Sequence, residues 1–269
     1  VHRSTPADGL ICGMGRIGGR PVCVAADDAT VMGGSRGLVA EVKQSHLRNA
    51  AVRIGVPFIW LQEASGGRIQ ELMGASFVAR TFSTNFSDQA LRMSGWIPQV
   101  SALLGACFGQ PAFVSGLADF VPMSADASVG ASGPPVVAAA IGQKVTEQEL
   151  GGPANAMAIG LADGVYANDK AVMGAIRDYL AFFPSNSGSL PPLAQSSDPI
   201  DRQCPELEKI VSTNLRRPYD MRRVIHSIVD RDCAFFEIGA GCGPQLLAGY
   251  ARMVGRAVGI RANQPIVQA

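Results

Sequence analysis

Side chains that do covalent or metal chemistry are scarce in this sequence. Its three histidines, His2, His46 and His226, stand near neither a G-x-S-x-G elbow nor a cysteine placed for nucleophilic attack. Cys12, Cys23, Cys107, Cys204, Cys233 and Cys242 form no CxxC pair. Without H-x-x-x-H spacing or clustered carboxylates, no metal is expected. Gly13-Met14-Gly15 and Gly18-Gly19 do not join a strand to a helix, so a dinucleotide fingerprint is weak. What remains is main chain, in four turns: Gly33-Gly34-Ser35, Ser65-Gly66-Gly67-Arg68, residues 105–110, and Ser132-Gly133-Pro134. Glycines let a substrate carbonyl approach the backbone closely. N–H groups at a helix start can hold an enolate oxygen with no catalytic side chain. Arg68 adds a guanidinium able to pair with phosphate or with a neighbouring carboxylate. Each turn alone also suits tight strand–helix packing; several on one expected edge favour a site.

Strands and helices must alternate to bring such turns to one edge, and the sequence reads that way. Residues 37–55 form an amphipathic helix and 57–62 (PFIWLQ) a short apolar strand, with a further helix beginning near Arg68. Residues 99–104 (QVSALL) form another strand, and Pro111 suits the first position of the helix after it. Short strands at 120–123 and 128–129, a helix over 136–142 and a closing helix over 169–183 complete a parallel α/β unit. Residues 184–205, with five prolines and five serines, read as a linker. Beyond it come a helix over 219–230 and an apolar stretch at 235–238.

Residues 10–31 and 246–267 align without a gap. Leu, Gly, Arg, Gly, Arg, Val, Ala and Val of the first (10, 13, 16, 19, 20, 22, 26, 31) recur in the second. Ordinary composition yields about one or two such identities. Each copy predicts a hairpin closed by a tight turn at its Gly-Arg step. The pattern predicts one complete α/β unit (1–183), a linker (184–205) and the opening of a related second unit (206–269).

Composition excludes some partners. Net charge is +1, which leaves no electrostatic footprint for nucleic acid. The uncharged stretch 93–118 is cut by prolines and glycines and reads as strand, turn and helix rather than a membrane span. No signal peptide is evident, and a soluble, cytoplasmic protein with buried reduced thiols is expected, or a mitochondrial-matrix one in a eukaryote.

The chain resembles the carboxyltransferase (β) subunits of biotin-dependent acyl-CoA carboxylases, of the propionyl- and acetyl-CoA carboxylase type. The resemblance runs through residues 5–19 (TPADGLICGMGRIGG), 30–35 (TVMGGS), 66–71 (GGRIQE), 94–99 (SGWIPQ) and 117–121 (LADFV). It continues through 133–137 (GPPVV), 145–152 (VTEQELGG), 184–186, 217–224 (RPYDMRRV) and 259–265 (GIRANQP). It implies a crotonase-like (ClpP/crotonase) ββα superhelix unit plus the beginning of a second. It implies that Gly33, Gly34, Ser35, Gly66, Gly67, Arg68, Ser132, Gly133 and Pro134 surround a CoA ester, and that Gly109 and Gln110 donate N–H groups to its enolate. The carboxyl group would come from carboxybiotin on a carrier protein, whose anion takes the α-proton. Partners implied are a biotin carboxylase and carrier subunit and further carboxyltransferase subunits in a homo- or hetero-oligomer.

Two departures bear on function. Many relatives carry Gly-Gly or Gly-Ala where this chain has Gly109-Gln110, so the Gln110 side chain is expected to narrow the acyl pocket or reorient the oxyanion hole, and Gln110→Gly to raise carboxylation if that side chain limits the site. Residues 154–158 (ANAMA) replace a His-containing pattern. The glycine turns of the biotin half are missing, so biotin chemistry is expected to need residues beyond this chain. Alternatives are a malonyl- or methylmalonyl-CoA decarboxylase, which needs only the enolate half, and a non-catalytic CoA-binding subunit.

Overall fold

The computed structural model describes residues 5–72, 88–214 and 216–267. The first unit is built on a sheet of seven strands: β1 (Leu10–Ile17), β2 (Arg20–Asp27), β3 (Phe58–Ala64), β4 (Gln99–Phe108), β5 (Pro122–Ser124), β6 (Ser128–Gly130) and β7 (Gly164–Tyr166). The order is β1-β2-β3-β4-β5-β7, with β6 also paired to β4. β1 and β2 are antiparallel and the remaining pairs parallel. β3 begins with three fully buried residues, Phe58, Ile59 and Trp60, as a parallel strand covered on both faces requires.

Helix α1 (Leu38–Ile54) buries Ala40, Gln44, Leu47 and Ala51 on one stripe, the i, i+4, i+7 spacing of a single helix face. It ends where Gly55, at φ 73°, returns its N–H to Ala51 O. A helical turn α2 (Ile69–Leu72) follows Arg68, and the rest of the helix expected there lies outside the described residues. Then come α3 (Gln110–Ser115), α4 (Pro134–Ile141), α5 (Glu147–Gly151), α6 (Pro153–Ala158) and α7 (Asp169–Ala181). Helix α7 is capped by Asn168, whose carboxamide oxygen accepts Ala171 N–H, and packs Val172, Ile176, Tyr179 and Leu180 onto the sheet.

Strand β4 corrects the expected turn at 105–110. Extended structure persists through Phe108, because residues 106–108 pair with β6 and Cys107 with Ala64. A bulge in the β3–β4 ladder absorbs the offset between the Gln62–Leu103 and Ala64–Cys107 pairs. The true turn is one residue, Gly109. Burial holds the Cys107 thiol far above its ordinary range, to about 12, so it is an inert core residue.

The hairpin repeat has the same register in both copies. β1–β2 pairs Leu10 with Asp27 and Ile17 with Arg20; β9 (Leu246–Met253) and β10 (Arg256–Asn263) pair Leu246 with Asn263 and Met253 with Arg256. Both turns carry positive φ at their central residues, 54° and 77° at Gly18 and Gly19, 53° and 74° at Val254 and Gly255. This left-handed pair suits the twist of a two-residue hairpin. Arg16 Nη1 and Arg252 Nη1 each donate to the turn glycine carbonyl three residues on, at 2.6 and 2.9 Å.

Residues 184–205 contain neither helix nor strand but are tied near their start and at their middle. Asn186 Nδ2 donates to Gly55 O (2.8 Å) and Ala194 N–H to Gly255 O (2.9 Å). Beyond them, α8 (Leu207–Ile210), α9 (Met221–Ile228) and β8 (Phe236–Ile238) lead to the second hairpin, around a small core of Ile225, Val229, Leu247 and Ala251. Among the described residues no helix is long and apolar enough to cross a membrane.

Candidate active site

The four turns singled out in the sequence meet at the carboxyl ends of β2, β3, β4 and β6. Ser65 N–H donates to Gly33 O (3.1 Å), which braces the turn after β2 against the turn after β3. Arg36 N–H donates to Gly66 O (2.9 Å) and Arg68 N–H to Arg36 O (2.8 Å). Gly66 lies against β4, where an added Cβ would stand 3.1 Å from Phe108 O. Gly133, the residue before α4, faces the Phe108 ring. These contacts join the turn at Gly33 to the turn at residues 65–68 and bring Gly66 and Gly133 against Phe108, the residue before Gly109.

At that start Gly109 has φ 76° and ψ −123°, a conformation open to glycine alone among the common residues. Its N–H donates to Gly130 O (2.9 Å), so this amide is already engaged. Gln110 is the first residue of α3 and Pro111 the second, so the Gln110 N–H has no acceptor within its own helix. Across from it, Gly67 sits between the two Arg36 backbone bonds. In a parallel bridge this directs the Gly67 N–H away from Arg36, to the β4 side.

Arg68 is not a free phosphate partner. Its guanidinium is 6% exposed and donates to Asp8 Oδ1 (2.5 Å), Glu71 Oε1 (2.7 Å) and Ser35 O (2.8 Å). Two carboxylates neutralise it, which suits a residue that shapes the turn. The same carboxylates occupy the start of α1: Glu71 Oε2 accepts Leu38 N–H (2.8 Å) and Asp8 Oδ2 accepts Ala40 N–H (2.8 Å). At the start of α4 two prolines remove N–H groups and Val136 N–H returns to Gly133 O. The start of α3 thus offers the Gln110 amide at this edge.

Glu71 makes a pH prediction. The Leu38 N–H, and then Arg68, hold its carboxyl below the ordinary value of 4.5 against the opposing effect of burial. The stability it contributes is fully present above 4.5 and is lost as pH falls through the depressed value. In urea unfolding, Glu71→Gln is expected to be less stable than the parent near neutral pH. The gap should close as pH drops from about 6 to 3, because the parent then loses the ionised form. A gap independent of pH would contradict this assignment.

The residue that sequence reasoning missed is Arg36. It is 1% exposed, its Nε and Nη2 donate to Asp27 at 3.0 and 2.6 Å, and its guanidinium lies 4.1 Å above the Trp60 ring. Its Nη1 donates to Gln110 Oε1 (2.9 Å), and Gln110 Nε2 donates to Glu41 Oε2 (3.3 Å). The Gln110 carboxamide is therefore held at both ends, its oxygen by Arg36 and its nitrogen by Glu41. Below it, Gln62 Nε2 donates to Ser101 Oγ and to Ser115 Oγ, and Ser115 Oγ donates to Pro111 O (2.7 Å). A polar layer thus supports the first turn of α3 from beneath. A carboxylate ending the apolar strand VCVAAD, with an arginine nine residues later, was the available signal.

Among the described residues no group of three or more His, Cys, Asp or Glu is arranged to hold a metal. A separate cavity of about 330 Å³, lined by Trp96, Pro98, Asp119, Tyr179, Phe183 and Tyr250, lies at the opposite end of β4. Burial raises the Asp119 carboxyl there above its usual range. This cavity is remote from the strand-end turns.

The carboxyl transferase domain family model matches residues 1–269. The human (Homo sapiens) mitochondrial propionyl-CoA carboxylase beta chain is 37% identical over 267 residues, covering 97% of this chain and 48% of that protein. The methylmalonyl-CoA carboxyltransferase 12S subunit of Propionibacterium freudenreichii subsp. shermanii is 35% identical, covering 98% and 49%. The chain spans about half the length of the curated relatives it matches. A solved transcarboxylase 12S structure, a hexamer assembly with hydrolysed methylmalonyl-coenzyme A bound, superimposes with a TM-score of 0.90 at 35% identity, covering 97% of this chain and 51% of that one. The α/β unit with its parallel sheet is accordingly crotonase-like.

Proposed function

For a chain that belongs to the carboxyl transferase domain family, we propose carboxyl transfer to the α-carbon of a short acyl-CoA through an enolate held by backbone N–H groups. The supporting observation is the pair of amides left at one strand edge, Gln110 N–H at the start of α3 and Gly67 N–H on the facing turn. The thioester oxygen lies between them. As the α-proton passes to the biotin anion that would be left when carboxybiotin gives up its carboxyl group, negative charge develops on that oxygen, and donors aimed at it stabilise the transition state more than the ground state. Gly109 shapes the site by setting the direction of α3. The CoA ester enters beside the turns at Gly33-Gly34-Ser35 and Ser132-Gly133-Pro134, with the apolar, exposed helix α4 as one wall.

The carboxyl donor is carboxybiotin on a carrier protein made by a biotin carboxylase partner. Among the described residues the second unit offers a hairpin, β8 and short helices, with no strand-end glycine turn opening a helix as at Gly109. The donor is presented against the enolate by residues outside this chain, from the rest of the protein or a neighbouring subunit.

The test combines the full protein with biotin carboxylase, biotinylated carrier, ATP, bicarbonate and acetyl- or propionyl-CoA. The expected product is the carboxylated CoA ester. Its absence, with the ester bound, would overturn carboxyl transfer; loss of malonyl-CoA without biotin would make the chain a decarboxylase.

A further inference from the structure

We propose that Arg36 is a positioning residue that keeps the Gln110 side chain out of the acyl pocket and so determines which acyl groups fit. This rests on the CoA-ester site placed at Gly67 and Gln110. Arg36 is the residue through which the parts of that site are joined. Its backbone holds the turn after β3 at both Gly66 O and Arg68 N–H. Its guanidinium faces Asp27 at the end of β2, Trp60 and Gln62 on β3, and Gln110 at the start of α3.

The geometry of a guanidinium allows this and that of an ammonium does not. Nε and Nη2 form a two-pronged pair with the Asp27 carboxylate while Nη1, on the other prong, is free to reach Gln110. The Gln110 carboxamide then has both ends engaged, its oxygen by Arg36 and its nitrogen by Glu41, which is itself 4% exposed. Gln110 is the one side chain borne by the proposed N–H donors. Released from Arg36, its carboxamide swings toward the mouth beside its own amide, where the acyl chain enters. The cost to binding then grows with the length of that chain, because only the longer acyl groups reach the space it takes.

Arg36→Lys keeps the charge opposite Asp27 and removes the prong that holds Gln110. In the full protein, affinities for acetyl-, propionyl- and butyryl-CoA are measured by calorimetry, beside kcat and KM, for Arg36→Lys, Gln110→Ala and the pair together. Arg36→Lys is expected to weaken butyryl-CoA about tenfold or more, propionyl-CoA less and acetyl-CoA least, a tenfold step being about 1.4 kcal/mol. Adding Gln110→Ala should restore the parent's affinities, since no carboxamide is left to misplace. Equal weakening for all three esters, or no restoration by Gln110→Ala, would overturn the proposal and leave Arg36 a structural ion-pair partner. The ordered affinities with no turnover in the parent protein would overturn carboxyl transfer while upholding the role of Arg36.

Discussion

Gly109→Ala is expected to lower kcat by about 10²- to 10³-fold, the loss associated with removing one oxyanion donor. The residue stands at φ 76° and ψ −123°, where a Cβ is strained in any surroundings. Its N–H is tied to Gly130 O, and an added Cβ would stand 3.6 Å from the Gly66 Cα. Relief of the strain must therefore come from rotation of the backbone that follows, which is the first residue of α3 and carries the Gln110 amide. Stability should fall as well, by about 1–3 kcal/mol for a non-glycine held in such a region. Gly142→Ala separates the two effects. Gly142 ends α4 at φ 71° with open space around it, so it carries a comparable strain away from the strand edge. It should cost about 1–2 kcal/mol in urea unfolding and leave kcat within about twofold. Equal losses of kcat in the two variants would show that Gly109 acts only through stability.

Asp27→Ala is expected to destabilise the protein by about 3–5 kcal/mol, the usual result of stripping one partner from a buried ion pair. Both side chains are out of water, 1% exposed for Arg36 and 0% for Asp27, and Glu63 N–H also donates to the carboxylate at 3.3 Å. With Asp27 gone, a guanidinium stacked on Trp60 keeps, among the described residues, the carboxamide oxygens of Gln62 and Gln110. Combining Asp27→Ala with Arg36→Met removes the charge and fills the space with apolar volume. Most of the lost stability should return, because a buried ion pair and a well-packed apolar pair differ little in net free energy. Activity toward longer acyl-CoA should stay low, since Gln110 has lost its anchor. Denaturant midpoints with turnover on acetyl- and butyryl-CoA check both halves. A double variant as unstable as Asp27→Ala would show that the pair's role in the fold goes beyond charge compensation.

Elements whose signals are local were legible in the sequence. The duplicated hairpin was readable because a two-residue turn demands particular residues and a period-two ladder then sets every pairing, so eight identities sufficed to predict one register twice. Helix α1 and strand β3 follow from apolar spacing, and the glycine turns from the rarity of such clusters. Local pattern failed where pairing partners decide. Strand β4 runs four residues past its expected end because β6 and the bulged β3 ladder extend it, and Gly105, read as a turn residue, lies within the strand.

The sequence by itself showed glycine turns at strand ends and no usable pattern of side chains for nucleophilic or metal catalysis, which turned the expected chemistry toward backbone amides. Only the tertiary structure decided which amides remain free. Gly109 spends its N–H on Gly130, the start of α1 is filled by Asp8 and Glu71, and α4 opens on two prolines. It also decided the roles of the two arginines, which composition cannot distinguish. Arg68 is neutralised by carboxylates 60 residues before and three after it in the chain, while Arg36 reaches Gln110 across 74 residues. A residue's type fixes what it can donate; which acceptors reach it first depends on contacts between distant segments, and those exist only once the sheet has formed.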